Sequence, residues 1–217
     1  IEISRQSGVA LHFTHFGSNW DFAPIERAKD EGLDITFDAY PYFSGSSMTT
    51  ALLPAWAHEG GPDKILERLR DATLREQMES EVAGIRIANR IPTWDDLMIS
   101  YVPSAANRDL QGLTFPEAAK ARGTSSCEKF VCDILLEENL EVGHRMPPPS
   151  AEVWEQKDAE YMQLLAREDY AVSSDGILVG DMPHPRAYGT FPRVIGRLRR
   201  EFNTPLELLI NRMTAFT

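Results

Sequence analysis

Ala171-Val172-Ser173-Ser174-Asp175-Gly176, taken with His184-Pro185-Arg186-Ala187-Tyr188-Gly189-Thr190-Phe191, decides how the rest of this 217-residue chain is read. A short apolar run, residues 170–174, ends in small hydroxyl residues, an acid and a glycine. That order predicts a parallel strand delivering one carboxylate into a cleft at its carboxyl end. An aspartate after a strand also serves as a helix cap or turn former. Here it is followed by His184, Arg186 and Tyr188 in a loop punctuated by prolines and glycines. Such a segment is costly to order, and chains accept that cost where function needs it.

Upstream, residues 8–15 read as a strand with apolar residues on both sides, which suits a parallel strand covered on both faces. Residues 20–31 follow as a helix with Ile25, Ala28 and Lys29 spaced for one buried stripe, stopping at Gly32. Residues 33–38 are the next strand, and the three together form a right-handed βαβ unit. A Gly/Ser/Thr loop, 43–50, leads to a helix over 62–74 whose apolar face is Ile65, Leu66 and Leu69. A shorter helical piece, 75–82, follows it. A third strand is expected within 94–102, and helices over 115–122 and 126–138. Thr124 or Ser125 is placed to cap the second of these, with Glu128 at capping-box distance from Ser125. Met146-Pro147-Pro148-Pro149 is a rigid break. A helix over 151–167 then precedes the fourth strand, 170–174, and helices over 190–202 and 205–213 close the chain. This alternation predicts an α/β protein, specifically part of a (β/α) TIM-type barrel: about four βα units with inserted helices, treated as one domain over 1–217. Four strands cannot close a barrel that needs eight.

Composition bounds the function. The chain is 42% hydrophobic and 25% charged, as in an ordinary globular protein, and its formal charge of −11 disfavours a nucleic-acid surface. No apolar run is long enough to span a membrane and no signal pattern opens the chain, so a cytoplasmic location is expected. Cys127 and Cys132 have neither zinc-site spacing nor a good bridging geometry, and read as reduced packing residues. The chain opens at Ile1 without an initiator methionine and stops at Thr217, as an excerpt of a longer protein would.

Ser174-Asp175-Gly176 with His184-Pro185-Arg186-x-Tyr188-Gly189-Thr190-Phe191-Pro192-Arg193 resembles the C-terminal signature of the N-acyl-D-amino-acid deacylases, metal-dependent members of the amidohydrolase superfamily. The resemblance makes the predicted strands the fifth to eighth of an amidohydrolase barrel. It implies hydrolysis of a linear amide by attack of metal-bound hydroxide, with Asp175 as the proton shuttle. Thr14-His15 is similar to the family's Ser-His pair, so the resemblance makes His15 a zinc ligand. By strand parity alone His15 shares a face with Leu11 and Phe13, and His12 lies on the other. Where classical members place a second histidine before Pro-Tyr, this chain has Tyr40, in Asp38-Ala39-Tyr40-Pro41-Tyr42; packing, hydrogen-bond donation and weak ligation are all open to it. Arg186 is a candidate clamp for a substrate carboxylate, since a guanidinium grips both oxygens at once; an ion pair with Asp181 is its structural alternative. His184, Tyr188, Tyr40 and Ser46 complete the expected substrate-binding set. His58 and His144 lie in polar stretches and are expected to be exposed.

The family's His-x-His and its further metal ligand are not found in these residues. The expectation is therefore an incomplete piece, inactive alone: the complete enzyme would hold one or two zinc ions, and this piece binds zinc weakly or not at all. Its partners would be an N-acyl amino acid and either the missing half-barrel or a second copy. A cyclic-amide hydrolase of the dihydroorotase or hydantoinase type is the alternative enzyme, and a non-catalytic α/β binding or assembly module the alternative class.

Overall fold

The computed structural model describes residues 1–17, 20–89 and 91–216. Helix α1 (Glu2–Ser7) precedes β1 (Leu11–Phe13), α2 (Ala23–Asp30) and β2 (Ile35–Ala39). Then come β3 (Ser46–Met48), α3 (Pro62–Arg70), α4 (Ala72–Ala88), β4 (Met98–Tyr101), α5 (Phe115–Ala121), α6 (Cys127–Glu137) and β5 (Gly143–Arg145). The chain continues through α7 (Ala151–Leu165), β6 (Tyr170–Val172) and α8 (Arg186–Arg193). A π-helical segment, Val194–Leu198, carries α8 into α9 (Arg199–Glu201), and α10 (Leu206–Met213) follows. These elements make two compact units. The first comprises Ile1–Phe43, Pro149–Gly176 and Pro185–Thr217; the second comprises Ser44–Pro148 and Ile177–His184.

The first unit is built on a parallel sheet of order β1-β2-β6. Leu11 pairs with Ile35, and Asp38 with Ala171. The two-residue repeat sorts β2 into two faces. Phe37 and Ala39 point into a core with Tyr161, Leu165, Tyr170, Val172, Leu198 and Leu209. Thr36, Asp38 and Tyr40 alternate onto the other face. Ile25 and Ala28 of α2 close over Ile35 in a smaller cluster. Burial of these side chains contributes roughly 1.5–3 kcal/mol each, and sets which face of the sheet stays polar.

The second unit is a different construction. β3, β5 and β4 form an antiparallel sheet, with Ser46 opposite Arg145 and Met98 opposite the same Arg145 on its other side. Helices α3 to α6 bury Leu66, Leu69, Met78, Val82, Phe130 and Leu135 in one core. Their starts are fixed locally. The Asp71 carboxylate accepts from the amides of Thr73 and Leu74, Thr114 and Glu117 form a capping box, and Ser126 accepts from Lys129 N–H.

The α/β reading holds, and three of the four expected strands make the parallel sheet. The third, expected within 94–102, narrows to β4 and runs antiparallel in the second unit instead. The expected 43–50 loop contains β3, and β5 was not expected at all. β3 is Ser-Ser-Met, without β-branched or aromatic residues, so pairing rather than propensity makes it a strand. Helix α4 runs through Ala88, beyond the short piece expected. Ser126 caps α6 in place of Thr124 or Ser125. Arg186 and Tyr188, expected in a loop, begin α8, with Pro185 at its N-cap. No described helix is long and apolar enough to cross a membrane.

Candidate active site

Four expected residues converge at the carboxyl ends of the parallel strands. β6 is followed by Ser173, Ser174 and Asp175, whose backbone turns left-handed at φ 43°. Gly176 comes next, and its place is explained by packing: a Cβ there would lie 3.2 Å from Ala187 Cα. That close approach brings the first turn of α8 against the strand end, and Arg186 meets Asp175. Arg186 Nη2 lies 2.6 Å from Asp175 Oδ2, and its side chain is almost wholly buried. Arg186 Nη1 donates to the Tyr40 hydroxyl at 2.8 Å, and the guanidinium carbon sits 4.6 Å from the Tyr40 ring centroid. The partner of Arg186 is thus Asp175, not Asp181.

His15 completes the group. Its Nε2 is 3.2 Å from Asp175 Oδ1, and its ring meets Tyr40 edge-on at 5.6 Å. A strand continued from Phe13 would send His15 to the apolar face. Instead β1 ends at Phe13 and His15 adopts φ 60°, so the parity expected from sequence reverses within one turn. The cluster opens to solvent at His15, whose side chain is 45% exposed, while Asp175 is 25% exposed. Burial pushes the Tyr40 phenol above its ordinary pKa, against the opposing effect of Arg186, so it remains a neutral hydroxyl.

The other expected residues lie elsewhere. His184 is buried, with its Nε2 2.9 Å from Ser44 Oγ. Ser46 donates to the His144 carbonyl at 3.1 Å. These four residues belong to the second unit. Tyr188 is 69% exposed on α8. His58 is exposed as expected, but His144 is not: it sits in β5, buried beside Thr49 and Phe115. Desolvation pushes its pKa down to about 4. Cys127 and Cys132 are both free thiols, raised to about 11 and about 12 chiefly by burial, which makes them poor nucleophiles.

A polar set next to this cluster carries no expected role in the sequence. His12, Thr36, Asp38 and Ser173 hydrogen-bond to one another on the same face of the sheet. The signal for it was present, because Asp38 stands two residues before Tyr40 in a strand and must share its face.

Zinc takes about four nitrogen, oxygen or sulfur donors. His15 and Asp175 offer two, and the Tyr40 hydroxyl is neutral and already accepts a hydrogen bond. Among the described residues no group of three or more His, Cys, Asp or Glu is placed to hold a metal ion. The described residues of this chain alone therefore do not fit a zinc centre.

The sheet and the cluster define the class: an α/β protein with an acid, an imidazole and a guanidinium gathered at parallel strand ends, the location of enzymatic sites in such folds. No protein-family model matches the chain. Individual proteins do. D-aminoacylase of Alcaligenes xylosoxydans xylosoxydans is 27% identical over 226 residues, spanning 100% of this chain and 36% of that protein. N-acyl-D-glutamate deacylase of the same organism is 27% identical over 225 residues, spanning 99% and 36%. Among solved structures, N-acyl-D-glutamate deacylase from Bordetella bronchiseptica, complexed with zinc and a phosphonate inhibitor, superposes with a TM-score of 0.60 at 22% identity over 99% of this chain and 36% of that one. A D-aminoacylase studied for its binuclear metal centre gives 0.58, with the same identity and coverage. These likenesses show a shared fold and bear out the deacylase resemblance along the whole chain. They also show that the chain spans 36% of the length of the relatives it matches.

Proposed function

We propose that this chain is the part of a metal-dependent amide hydrolase, acting on N-acyl-D-amino acids, that supplies the proton-transfer carboxylate and the substrate-carboxylate clamp. In this reading β1, β2 and β6 are a wall of a (β/α) barrel. The remaining wall and the remaining metal ligands belong to the stretch of the relatives that this chain does not match. The observation that carries the reading is Asp175. It is held between His15 and Arg186 at the strand ends, in a chain that aligns with deacylases throughout.

Amide hydrolysis requires removal of a proton from the attacking water and delivery of one to the departing nitrogen. A bound zinc ion in the complete centre would make that water acidic near neutral pH. Asp175, partly exposed and facing the cluster opening, is the carboxylate available to accept the proton and pass it on. His15 is the chain's own donor toward the metal. Arg186 presents a planar fork suited to a carboxylate. That fork engages Asp175, so a substrate carboxylate binding there would exchange with Asp175 and leave the acid free to work. Tyr40 orients the guanidinium by hydrogen bond and ring contact.

The test is amine release by the full-length natural protein, zinc-loaded, from N-acetyl-D-glutamate and N-acetyl-D-methionine and from their L forms. D-selective release is expected. Turnover of dihydroorotate or hydantoin instead would move the assignment to the cyclic amidases, and no turnover of any amide would favour a binding module.

A further inference from the structure

Asp38 lies on the central strand of the parallel sheet, is 8% exposed, and serves both neighbouring strands. Its Oδ1 accepts the backbone N–H of His15 at 3.0 Å and the Ser173 hydroxyl at 2.9 Å. Its Oδ2 lies 3.0 Å from His12 Nε2, while His12 Nδ1 is 2.8 Å from Thr36 Oγ1. These distances suit an imidazole that donates from Nε2 to Asp38 and accepts at Nδ1 from the Thr36 hydroxyl. The Asp38 carbonyl separately accepts Phe16 N–H at 2.7 Å. One side chain therefore fastens the exits of β1 and β6 to β2. Those exits carry His15 and Asp175, and Tyr40 is two residues farther along β2.

His15 is the residue that most needs fastening. At φ 60° it occupies the left-handed region, which is uncommon for a non-glycine residue. Left extended, the chain would turn its imidazole toward the Phe13 side. The acceptor for the His15 amide in the turned state is Asp38 Oδ1.

We propose that Asp38 is a positioning residue for the hydrolytic reaction: its carboxylate holds His15 in the left-handed turn and thereby sets the imidazole against Asp175. The proposal rests on the deacylase reading for its consequence in turnover, and on geometry alone for its consequence in the turn. Asp38 acts through the backbone of His15.

Both consequences are measured in the full-length natural protein. Asp38→Ala removes the acceptor, and Asp38→Leu does so while filling the buried volume, as a second variant should the first not fold. Asp38→Asn keeps an oxygen that can accept from His15 N–H. In the Ala and Leu variants kcat is expected to fall by about 10- to 100-fold, the range for a misplaced group, with KM changed far less. Site-resolved amide exchange at His15 should accelerate by about 10-fold or more. Phe16, whose amide bonds the Asp38 main chain, should keep its rate and serves as the internal control. Asp38→Asn is expected to restore both His15 protection and most of kcat. Unchanged His15 exchange in a folded Asp38→Ala or Asp38→Leu protein overturns the proposal, as does Asp38→Asn losing kcat while His15 stays protected. If the wild type hydrolyses no N-acyl-D-amino acid, the deacylase reading fails and the exchange measurement still decides the turn.

Discussion

Asp175 and Arg186 make opposite demands on a mutagenesis experiment. Asp175→Asn keeps size and most hydrogen bonding but removes the proton acceptor. In the full-length protein kcat should drop at least about 10²-fold, the usual contribution of general acid–base catalysis, with bound metal retained. Arg186→Lys keeps the charge but loses the fork that joins Asp175 to Tyr40, so KM for the acyl amino acid should rise at least as much as kcat falls. Equal loss of both parameters and of metal in both variants would indicate unfolding and remove the contrast. A separate experiment addresses His144. Its folded pKa of about 4 lies below the ordinary 6.5, because burial penalises the charged ring. As pH falls the unfolded chain binds this proton first. Its contribution to stability is therefore full above about pH 6.5 and is lost progressively toward pH 4, by about 3 kcal/mol at most. Urea titrations across that window should show wild type losing stability relative to His144→Leu as pH falls. Parallel curves would show that His144 is not buried neutral. Asp175 and Arg186 were legible in sequence because a strand, an acid, a glycine and a spaced arginine come in one short order. The turn at His15 was not, because strand parity assumes that the strand continues.

Gly189 is where helix α8 admits Tyr42. An added Cβ would lie 2.1 Å from the Tyr42 hydroxyl oxygen and 3.3 Å from its ring carbon Cζ. Tyr42 in turn packs edge-on to Trp154 and beneath Arg193, whose guanidinium donates to the buried Asp158 at 2.5 and 2.6 Å. Ala at a helical position ordinarily gains about 1 kcal/mol over Gly. Here overpacking, at about 1–3 kcal/mol, should outweigh that gain and destabilise Gly189→Ala. In a Tyr42→Phe background the nearest atom is gone, so the penalty should shrink or reverse. Denaturant melts of the four proteins form a double-mutant cycle, and additive effects would refute the contact. The βαβ unit was readable because α2 has its stripe and its glycine stop, and because residues 8–15 carry apolar residues on both sides. β3 and β5 were hidden for the opposite reason. Ser46-Ser47-Met48 and Gly143-His144-Arg145 carry no strand signal of their own: β3 becomes a strand by pairing with β5, and β5 by pairing with β3 and β4.

The 217 residues together present two parallel edge strands, β1 and β6, and a line of exposed apolar side chains at Tyr188, Phe191, Ile195 and Phe202. Such surfaces recruit partners. Sedimentation of this chain at micromolar concentration should show dimers or larger species, and a clean monomer would count against the half-barrel reading. The same chain, dialysed after exposure to zinc, should retain well under one equivalent by metal analysis; tightly held stoichiometric zinc would mean that His15 and Asp175 suffice. The order of the units along the chain has a further consequence, for synthesis. The Tyr170 hydroxyl bonds the Ala39 carbonyl across 131 residues, and all of β6 lies that far from the strand it pairs with. At about 5–20 residues per second, a ribosome releases β2 roughly 7–26 seconds before β6. During that interval the central strand of the first sheet is an open edge, while most of the second unit has already emerged and can fold. That open edge persists until α7 and β6 have emerged. A chaperone that shields β2 during that interval would suppress edge-to-edge pairing of nascent chains.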